Sequence, residues 1–361
     1  MKLLTILGTR PEIIRLSLIL KQIQKVDIKN TVIYTGQNYD SALSNYFFKE
    51  LGVKPDIFWN IKSATVGKQI AKILENTEET ILKEKPDYLL VLGDTNSALS
   101  AIIAARYHVP IIHLEAGNRC HDWLVPEEKN RVIIDHISTY LLPYTFGSKE
   151  NLIKEGIDSK FIYISGNPIL EVLNTYKNLI DESSILSTLN LKKQGYFLAT
   201  LHREENVDNP KVFKNIIQGL NLIAAKYKQP IIWSVHPRTQ KRLQGMKVKL
   251  NKNIILHSPF DLFDFVKLEK NALCVLTDSG TVQEECSLFN VPTVTIRNTT
   301  ERPETVECGS NMLSGTASAQ NILKVTQVML SRNKDWVSPY AKDTKVSEKV
   351  LKFILSNKSK K

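Results

Sequence analysis

The sequence predicts an α/β protein with two Rossmann-like, doubly wound lobes that face each other across a cleft. Short apolar runs rich in β-branched residues alternate with segments of helical periodicity, and this alternation passes through two successive cycles. Continuous apolar strands separated by helices indicate parallel sheets whose two faces are both covered. The 361 residues also exceed one typical hydrophobic core, which favours two domains of about 150–200 residues each.

The first cycle supplies the strands and helices of the N-terminal lobe. Its β-branched runs predict strands at 3–7, 30–34, 88–92, 111–114, 140–143 and 162–165. Helical periodicity between these runs predicts helices at 13–25, 41–51, 66–83 and 97–107. Because helices separate these strands, we expect the strands to run parallel within one sheet.

The second cycle repeats this pattern in the C-terminal half. Strands are predicted at 196–200, 231–235, 254–256, 272–276 and 293–296, with helices at 212–227 and 319–330. The Gly-Asn-Pro sequence at 166–168 predicts the boundary, so that the lobes span 1–168 and 169–344. We expect a C-terminal helix within 345–361 to pack back on the first lobe.

Composition and charge narrow the class of protein. Apolar residues make up 42% of the chain, and no apolar run approaches the roughly 18 residues needed to span a bilayer. The formal net charge of +11 favours an anionic ligand, but no zinc-finger spacing or aromatic RNA-binding motif is present, so we expect no nucleic-acid partner. The four cysteines form no Cys-x-x-Cys pair, which fits free thiols in a reducing compartment, and we expect the cytoplasm.

Three acidic residues follow apolar runs of the predicted first lobe. Asp94 occurs in Val-Leu-Gly-Asp-Thr-Asn, Glu115 in Ile-Ile-His-Leu-Glu-Ala-Gly, and Glu127 in Val-Pro-Glu-Glu. The carboxyl ends of parallel strands meet at one edge of the sheet, where ligands bind. Unpaired buried charges are costly, so carboxylates gathered at that edge favour acid–base chemistry over packing.

Two turns between a strand and a helix are candidate phosphate sites. Gly-Thr-Arg-Pro-Glu at 8–12 offers exposed N–H groups at a helix start and the planar fork of Arg10, although a simple tight turn would also fit. In the second lobe, Ser279 and Gly280 could present hydroxyl and N–H groups to a diphosphate, and Glu285 could accept from a ribose. A capping box at the same helix start is the structural alternative.

Two histidines close successive strands of the second lobe. His202 and His236 are each followed within two residues by an arginine, Arg203 and Arg238, which favours contact with an anionic ligand. His113 precedes Glu115 by two residues and could either serve the site or cap its strand. The chain contains no zinc-binding spacing, no dinucleotide-binding Gly-x-Gly-x-x-Gly motif and no Gly-x-Ser-x-Gly elbow, so the sequence predicts neither a metal nor a cofactor.

Together, these motifs resemble the non-hydrolysing UDP-N-acetylglucosamine 2-epimerase family along essentially the whole chain. The resemblance rests on an ordered set of short segments, each weak by itself. These are Gly-Thr-Arg-Pro-Glu (8–12), Thr-Gly-Gln-Asn-Tyr-Asp (35–40), Gly-Asp-Thr (93–95), Glu-Ala-Gly (115–117), Pro-Glu-Glu-x-x-Arg (126–131), His-Arg (202–203), His-Pro (236–237), Asp-Ser-Gly (278–280) and Thr-Glu-Arg-Pro-Glu (300–304).

The resemblance implies a glycosyltransferase-B-like fold, a homodimer and inversion at C2 of a UDP-N-acetylhexosamine without a cofactor. The implied reaction converts UDP-GlcNAc to UDP-ManNAc by elimination of UDP to a 2-acetamidoglycal, followed by re-addition. It also implies catalytic roles for Asp94, Glu115, Glu127 and His202. The implied UDP contacts are Arg10, Gln37, His236, Ser279, Gly280, Glu285 and Arg302.

Some features depart from the common pattern of this family and leave other substrates and activities open. Position 15 is arginine, where the family commonly has lysine. The runs 10–17 and 201–206 are similar to a branch that forms UDP-N-acetyl-L-fucosamine from a UDP-linked 6-deoxy-L-talo sugar. A hydrolysing epimerase, a retaining glycosyltransferase and a nucleotide-sugar-binding protein are further alternatives, but the last two leave the three carboxylates unexplained.

Overall fold

Two separate six-stranded parallel sheets form the framework of the protein. The computed structural model describes residues 1–36, 47–246 and 248–357. Two compact units divide the chain: Met1–Asn174 together with the segment that starts at Asp343, and Thr175–Lys342. The predicted α/β class with two Rossmann-like lobes is confirmed by the strand order within each unit.

The first unit contains strands β1 to β6 in the order β3-β2-β1-β4-β5-β6. All its neighbouring strands pair in parallel. The order reverses direction between β1 and β4, which is the switch point where open α/β sheets bind ligands. The strands are β1 Lys2–Leu7, β2 Lys29–Tyr34, β3 Ile57–Phe58, β4 Tyr88–Leu92, β5 Ile111–Leu114 and β6 Tyr140–Leu142.

The second unit repeats this arrangement with strands β7 to β12. Its order is β12-β11-β10-β7-β8-β9, which places the switch point between β7 and β10. Again, every neighbouring pair is parallel. The strands are β7 Phe197–Leu201, β8 Ile231–Val235, β9 Ile254–His257, β10 Cys274–Thr277, β11 Thr293–Thr295 and β12 Asn311–Leu313.

Helices separate most of the consecutive strands. In the first unit they are Arg10–Ile23, Val66–Glu84, Ala101–Arg106, Pro126–Ile137, Phe146–Lys154, Ile169–Thr175 and Val346–Ser356, with 3₁₀ turns at Asn96–Ser100 and Ser159–Phe161. In the second unit they are Lys177–Glu182, Ile185–Thr188, Glu204–Val207, Pro210–Tyr227, Pro237–Gly245, Leu262–Asn271, Gly280–Leu288, Pro303–Glu307 and Ala319–Ser331.

Each sheet is buried because its strands are apolar on both faces. All five residues of β4 and all five of β8 are buried, and Trp233 of β8 is fully enclosed. Such continuous apolar strands require helices on both sides of the sheet. Helix Val346–Ser356 covers part of the first unit by packing on helix Arg10–Ile23.

A few elements differ from those predicted. The segment 162–165 forms no full strand, and only Ile162 makes a single bridge to Leu141 of β6. The edge strands β3 and β12 were missed, because two or three residues are too short to show a period. The predicted helix 41–51 lies mostly outside the described residues, and its described part, 47–51, is helical.

Candidate active site

The carboxyl ends of β1, β4 and β5 place three turns of the first unit side by side. Gly93 follows β4, and its N–H donates to Leu114 O at 3.0 Å. A Cβ atom on Gly93 would lie 3.9 Å from the carboxyl carbon of Glu115. The turn that carries Asp94 and the turn that begins with Glu115 are therefore neighbours.

Asp94 is held by a buried arginine of helix Pro126–Ile137. Its Oδ2 accepts from Arg131 Nε at 2.9 Å and from a second nitrogen of the same guanidinium. Arg131 also donates to Glu128, one turn earlier on that helix, at 2.5 Å. The two hydrogen bonds from Arg131 to Asp94 fix the carboxylate of Asp94 in one orientation, because a planar guanidinium binds a carboxylate directionally.

Glu115 lies in a strained turn and is paired with Arg15. Its φ of +66° belongs to the left-handed region, which is unusual for a residue with a side chain. Arg15 Nη1 donates to Glu115 Oε2 at 2.9 Å, and both residues are buried. Strained backbone of this kind is typical of functional sites, where surrounding contacts must enforce it.

Glu127 and Glu128 are adjacent in sequence but have different environments. Glu127 is partly exposed in the first turn of helix Pro126–Ile137. Glu128 is buried and accepts from the backbone N–H groups of Cys120 and His121, at 3.1 and 2.8 Å. Glu128 therefore stabilises the 120–121 loop, whereas Glu127 retains the exposure that a ligand would need.

His113 is a structural residue of this edge. Its Nδ1 lies 2.8 Å from Asp135 Oδ1 and its Nε2 lies 2.8 Å from Gly93 O. Burial by itself would raise the pKa of Asp135, but the hydrogen bonds from His113 and Arg119 outweigh it and lower the pKa. The sequence allowed His113 either to serve the site or to cap its strand, and the capping role fits this fully buried side chain.

Arg10 and Glu12 occupy the turn after β1. Arg10 is exposed at the start of helix Arg10–Ile23, with its guanidinium carbon 5.3 Å from the centre of the Phe47 ring. Glu12 is buried and accepts from Gly8 N–H at 3.1 Å and from the Thr9 hydroxyl at 2.7 Å. Its own carboxylate thus occupies part of the predicted anion site.

Glu12 also connects this turn to the one that carries Asp94. The Thr95 hydroxyl donates to Glu12 Oε1 at 3.2 Å. Burial raises the pKa of the Glu12 carboxyl from 4.5 to about 7, although the hydrogen bonds that it accepts lower it. Three residues later on the same helix, Arg15 holds Glu115, so one helix contacts both acidic turns.

In the second unit, the two predicted histidines lie close together. The His202 and His236 rings follow β7 and β8, and their centroids are 6.1 Å apart. Asp278 follows β10 and is fully buried beneath His202. Its carboxylate accepts from the backbone N–H groups of His202 and Arg203, each at 3.0 Å.

Ser279 and Gly280 begin helix Gly280–Leu288. Within the described part of the chain, the Ser279 side chain accepts no capping hydrogen bond, so the capping-box alternative is not formed there. A Cβ atom on Gly280 would lie 2.6 Å from Glu301 Oε1, which means that only glycine fits without displacing this carboxylate. Glu301 in turn binds Arg203 at 2.9 Å and Arg297 at 2.7 Å.

The remaining predicted nucleotide contacts have different surroundings. Glu285 is buried in the second turn of helix Gly280–Leu288. Arg302 is buried and forms an ion pair with Glu284 of the same helix. Gln37 lies outside the residues that the structure describes.

Sequence reasoning missed three charged residues that organise these edges: Glu12, Arg131 and Asp278. Each lies within a quoted motif, but nothing in the motif identifies its partner. Among residues 1–36, 47–246 and 248–357, no group of three or more His, Cys, Asp or Glu side chains is placed to bind a metal ion. Over the same residues, no helix is long and apolar enough to cross a membrane.

Comparison with known proteins places the whole chain in one family. The family model described as UDP-N-acetylglucosamine 2-epimerase matches residues 21–355. A Methanocaldococcus jannaschii protein named UDP-N-acetylglucosamine 2-epimerase is 42% identical over 367 residues, covering 99% of this chain and all of that protein. A Pseudomonas aeruginosa protein named UDP-2,3-diacetamido-2,3-dideoxy-D-glucuronate 2-epimerase is 38% identical and covers 88% of this chain and 89% of that protein.

Solved structures extend this similarity to the fold. The M. jannaschii UDP-GlcNAc 2-epimerase in complex with UDP-GlcNAc and UDP matches with a TM-score of 0.93 and 41% identity, covering 99% of this chain and all of that one. The Neisseria meningitidis enzyme bound to UDP-GlcNAc matches with a TM-score of 0.90 and 27% identity, covering the same shares of the two chains. The glycosyltransferase-B-like fold class implied by the motifs is thereby confirmed.

Proposed function

The chain belongs to the UDP-N-acetylglucosamine 2-epimerase family, and we propose that it converts UDP-GlcNAc to UDP-ManNAc by inverting C2. The protein is accordingly an isomerase. The observation that carries the substrate proposal is the relative named UDP-N-acetylglucosamine 2-epimerase, which aligns over 99% of this chain. The carboxylates Asp94 and Glu115 lie on adjacent turns of one sheet edge, and each is bound by an arginine, which supports the acid–base chemistry.

The proposed reaction proceeds by elimination and re-addition. A carboxylate removes the C2 proton while the bond from C1 to the UDP oxygen breaks, which leaves a 2-acetamidoglycal with a C1–C2 double bond. UDP then adds back to C1, and C2 is protonated on the opposite face. Coupling the two bond cleavages avoids a free carbanion at a carbon that has no neighbouring carbonyl, and no oxidant is needed.

Inversion requires a base on one face of the sugar and an acid on the other. Asp94, Glu115 and Glu127 are the proposed acid–base groups. Arg131 and Arg15 fix the first two carboxylates, which supports positioned proton transfer. Partial exposure of Glu127 supports a role for it at the ligand rather than in packing.

We assign UDP binding mainly to segment 169–344 and the carboxylate chemistry to segment 1–168. Ser279, Gly280 and His236 are proposed to contact the diphosphate, and His202 to support its departure or a proton transfer. The N–H groups at the start of helix Gly280–Leu288 support this assignment, because a helix N-terminus favours an anion. Arg10, Gln37, Glu285 and Arg302 complete the proposed contacts, with Glu285 accepting from the ribose.

Other UDP-sugars are alternative substrates of the same chemistry. The P. aeruginosa relative is named for a diacetamido glucuronate nucleotide, which supports testing uronic-acid substrates. The 6-deoxy-L-talo nucleotide is the second alternative. Because both differ from UDP-GlcNAc in the sugar only, the acid–base residues and UDP contacts would be the same.

A substrate panel tests this proposal. Each of the three nucleotides is incubated with the purified protein, and products are followed by proton and phosphorus NMR. We expect UDP-GlcNAc to reach an equilibrium with UDP-ManNAc while the nucleotide stays intact. Release of UDP and free sugar in stoichiometric amounts would indicate a hydrolysing enzyme, and no reaction of any nucleotide would contradict the proposal.

Elimination itself can be tested with UDP-GlcNAc that carries ¹⁸O in the bridge between C1 and the β-phosphorus. If that C–O bond breaks and re-forms, the label should spread to the non-bridging oxygens of the β-phosphate, which phosphorus NMR resolves. Retention of all label in the bridge during epimerisation would contradict the elimination step. Light scattering of the same sample tests the proposed homodimer.

A further inference from the structure

We infer that Asp278 is a positioning residue that holds the His202 ring through Nδ1, so that Nε2 is the ring nitrogen that acts on the leaving diphosphate. This inference rests on the proposed role of His202 in the reaction. The family motif Asp-Ser-Gly directs attention to Ser279 and Gly280, whereas the contacts of Asp278 indicate a separate task. Asp278 is proposed to set the orientation and the protonated nitrogen of the His202 ring.

The contacts of Asp278 all converge on the start of the segment after β7. One carboxylate oxygen lies 3.2 Å from His202 Nδ1. The backbone N–H groups of His202 and Arg203 donate to the carboxylate at 3.0 Å, and Asn206 Nδ2 donates at 3.1 Å. Asp278 therefore binds the backbone of His202 and contacts its imidazole.

The position of Asp278 on the sheet explains how it reaches His202. β10 pairs in parallel with β7, so that Thr277 lies opposite Thr200. Asp278 N–H donates to Thr200 O at 3.2 Å, which continues this ladder by one bond. The side chain that follows β10 thus meets the residues that follow β7, at the switch point of the second sheet.

A neutral side chain at position 278 could accept hydrogen bonds from the backbone N–H groups of His202 and Arg203, and no charge would then be buried. A charged carboxylate in the interior is costly unless it is paired, and an amide or hydroxyl oxygen could accept the same N–H bonds. The feature that requires a carboxylate is the imidazole. A carboxylate next to Nδ1 favours the tautomer with the proton on Nδ1 and stabilises the imidazolium, as a neutral acceptor does not.

The buried pair His113–Asp135 of the first unit serves as a comparison. Both ring nitrogens of His113 are within 2.8 Å of acceptors, and the side chain is fully buried. The His202 side chain is instead partly exposed, while its aspartate is fully buried. His113 therefore connects two buried strand ends. The His202 ring is instead partly open to solvent, and its aspartate contacts it on the buried side.

Two further side chains with basic groups are close to His202 in space or in sequence. The His236 ring centroid is 6.1 Å away, at the start of helix Pro237–Gly245. Arg203 follows His202 directly and is ion-paired with Glu301 at 2.9 Å. Among these groups, Asp278 is the one whose carboxylate lies 3.2 Å from the ring, so its replacement should change the protonation of His202 more than a change at His236 or Arg203.

The first test is nitrogen NMR of the unchanged protein labelled with ¹⁵N-histidine. The His202 resonances are assigned from the spectrum of H202Q. We expect neutral His202 to carry its proton on Nδ1. A proton on Nε2 in the neutral form would overturn the inference, and this measurement needs no substrate.

The second test compares D278N with a control, D261N. Asp261 accepts from Asp264 N–H at 2.8 Å at the start of helix Leu262–Asn271, so that it is a capping carboxylate of the same unit. In D278N the amide should donate to Nδ1, which moves the His202 proton to Nε2. We expect kcat to fall about 10²-fold, the lower range for a positioned acid–base group.

The pH dependence distinguishes positioning from stability. Loss of the carboxylate destabilises the imidazolium, so the limb of the kcat profile that depends on His202 should move about one pH unit toward acid in D278N. D261N removes a capping carboxylate of the same unit and should keep both the tautomer and the profile. If D278N matched D261N in both readouts, Asp278 would be only a structural residue.

These outcomes separate the inference from the proposed function. An inactive wild-type protein with His202 protonated on Nδ1 would contradict the proposed reaction and leave the histidine–aspartate arrangement intact. An active epimerase whose His202 carries its proton on Nε2 would contradict the inference alone.

Discussion

The two units have the same strand order but opposite chemistry at their sheet edges. In the first unit, Asp94 and Glu115 follow strands β4 and β5, and Arg131 and Arg15 hold their carboxylates. In the second unit, the corresponding places carry histidines and a helix start, and the carboxylates Asp278 and Glu301 lie behind them. One edge suits proton transfer, and the other suits a diphosphate.

Three pairs at these edges each join a more exposed side chain to a buried one, and we take the more exposed member as the group that faces a ligand. The Asp94 side chain is 22% exposed and that of Arg131 is 3% exposed. In the second unit, the values are 39% for His202 against 0% for Asp278, and 15% for Arg203 against 5% for Glu301. In each pair the less exposed member fixes the more exposed one, with the sign of charge reversed between the units.

The largest predicted effect separates the two adjacent glutamates of the first edge. E127Q should reduce turnover about 10³-fold, because a proposed acid–base group is lost, and its free energy of unfolding should change less than that of E128Q, because Glu127 is partly exposed. E128Q should instead lower the free energy of unfolding by about 2 kcal/mol, because buried N–H groups and Arg131 lose a charged acceptor.

Steady-state kinetics and urea titration measure the two effects on the same preparations. E128Q serves as the matched control for E127Q, since each removes one negative charge from the same helical turn. Near wild-type turnover in E127Q would remove this residue from the acid–base set and break the proposed division between a reactive and a structural glutamate.

A second prediction concerns Glu12, the buried carboxylate behind the first edge. Its pKa is raised by burial from 4.5 to about 7, so the folded protein binds this proton more tightly than the unfolded chain does. Stability should therefore fall as the pH rises from about 4.5 through 7. In E12Q this cost is absent, so its stability relative to the wild type should increase from pH 5 to pH 8, by at most about 3 kcal/mol.

Urea titration at the two pH values measures this difference, and E348Q provides a control of opposite sign. The hydrogen bond from Lys352 lowers the pKa of exposed Glu348, so the wild type gains rather than loses stability as the pH rises. A difference between E12Q and wild type that does not change with pH would show that Glu12 is already ionised in the folded protein at pH 5.

The smallest predicted effect concerns Gly280 at the second edge. A Cβ at this position would meet Glu301 Oε1 at 2.6 Å, and that carboxylate is not free to move because it binds Arg203 and Arg297. G280A should therefore weaken UDP binding about 10-fold, or about 1.4 kcal/mol, and should also lower the free energy of unfolding, because the buried Glu301 must shift.

Calorimetric titration with UDP measures this loss against G245A. Gly245 ends helix Pro237–Gly245 in the same unit, and a Cβ there would meet no atom within 4 Å. We expect G245A to bind UDP like the wild type. Equal UDP affinity of G280A and wild type would indicate that this helix start does not contact the nucleotide.

The sequence was sufficient for the fold class and the family, because both depend on strongly periodic segments and ordered motifs. Buried strands such as β4 and β8 are apolar along their length, whereas the two-residue strand β3 has no period to detect. The family assignment was confirmed over residues 21–355.

The partners of the site residues could not be predicted from local sequence. Arg131 lies 37 residues from Asp94, and His202 lies 76 residues from Asp278, so that only the folded sheet brings them together. The catalytic and UDP-contacting roles stay predictions. For Arg302 the structure adds a competing partner, Glu284, that the motif did not indicate.

The most direct test of the proposed chemistry is turnover of UDP-GlcNAc in D2O, followed by proton NMR. We expect UDP-ManNAc to form with deuterium at C2 and recovered UDP-GlcNAc to gain deuterium as equilibrium is approached. UDP-ManNAc that retains the original proton at C2 would contradict proton abstraction by the carboxylates of the first edge.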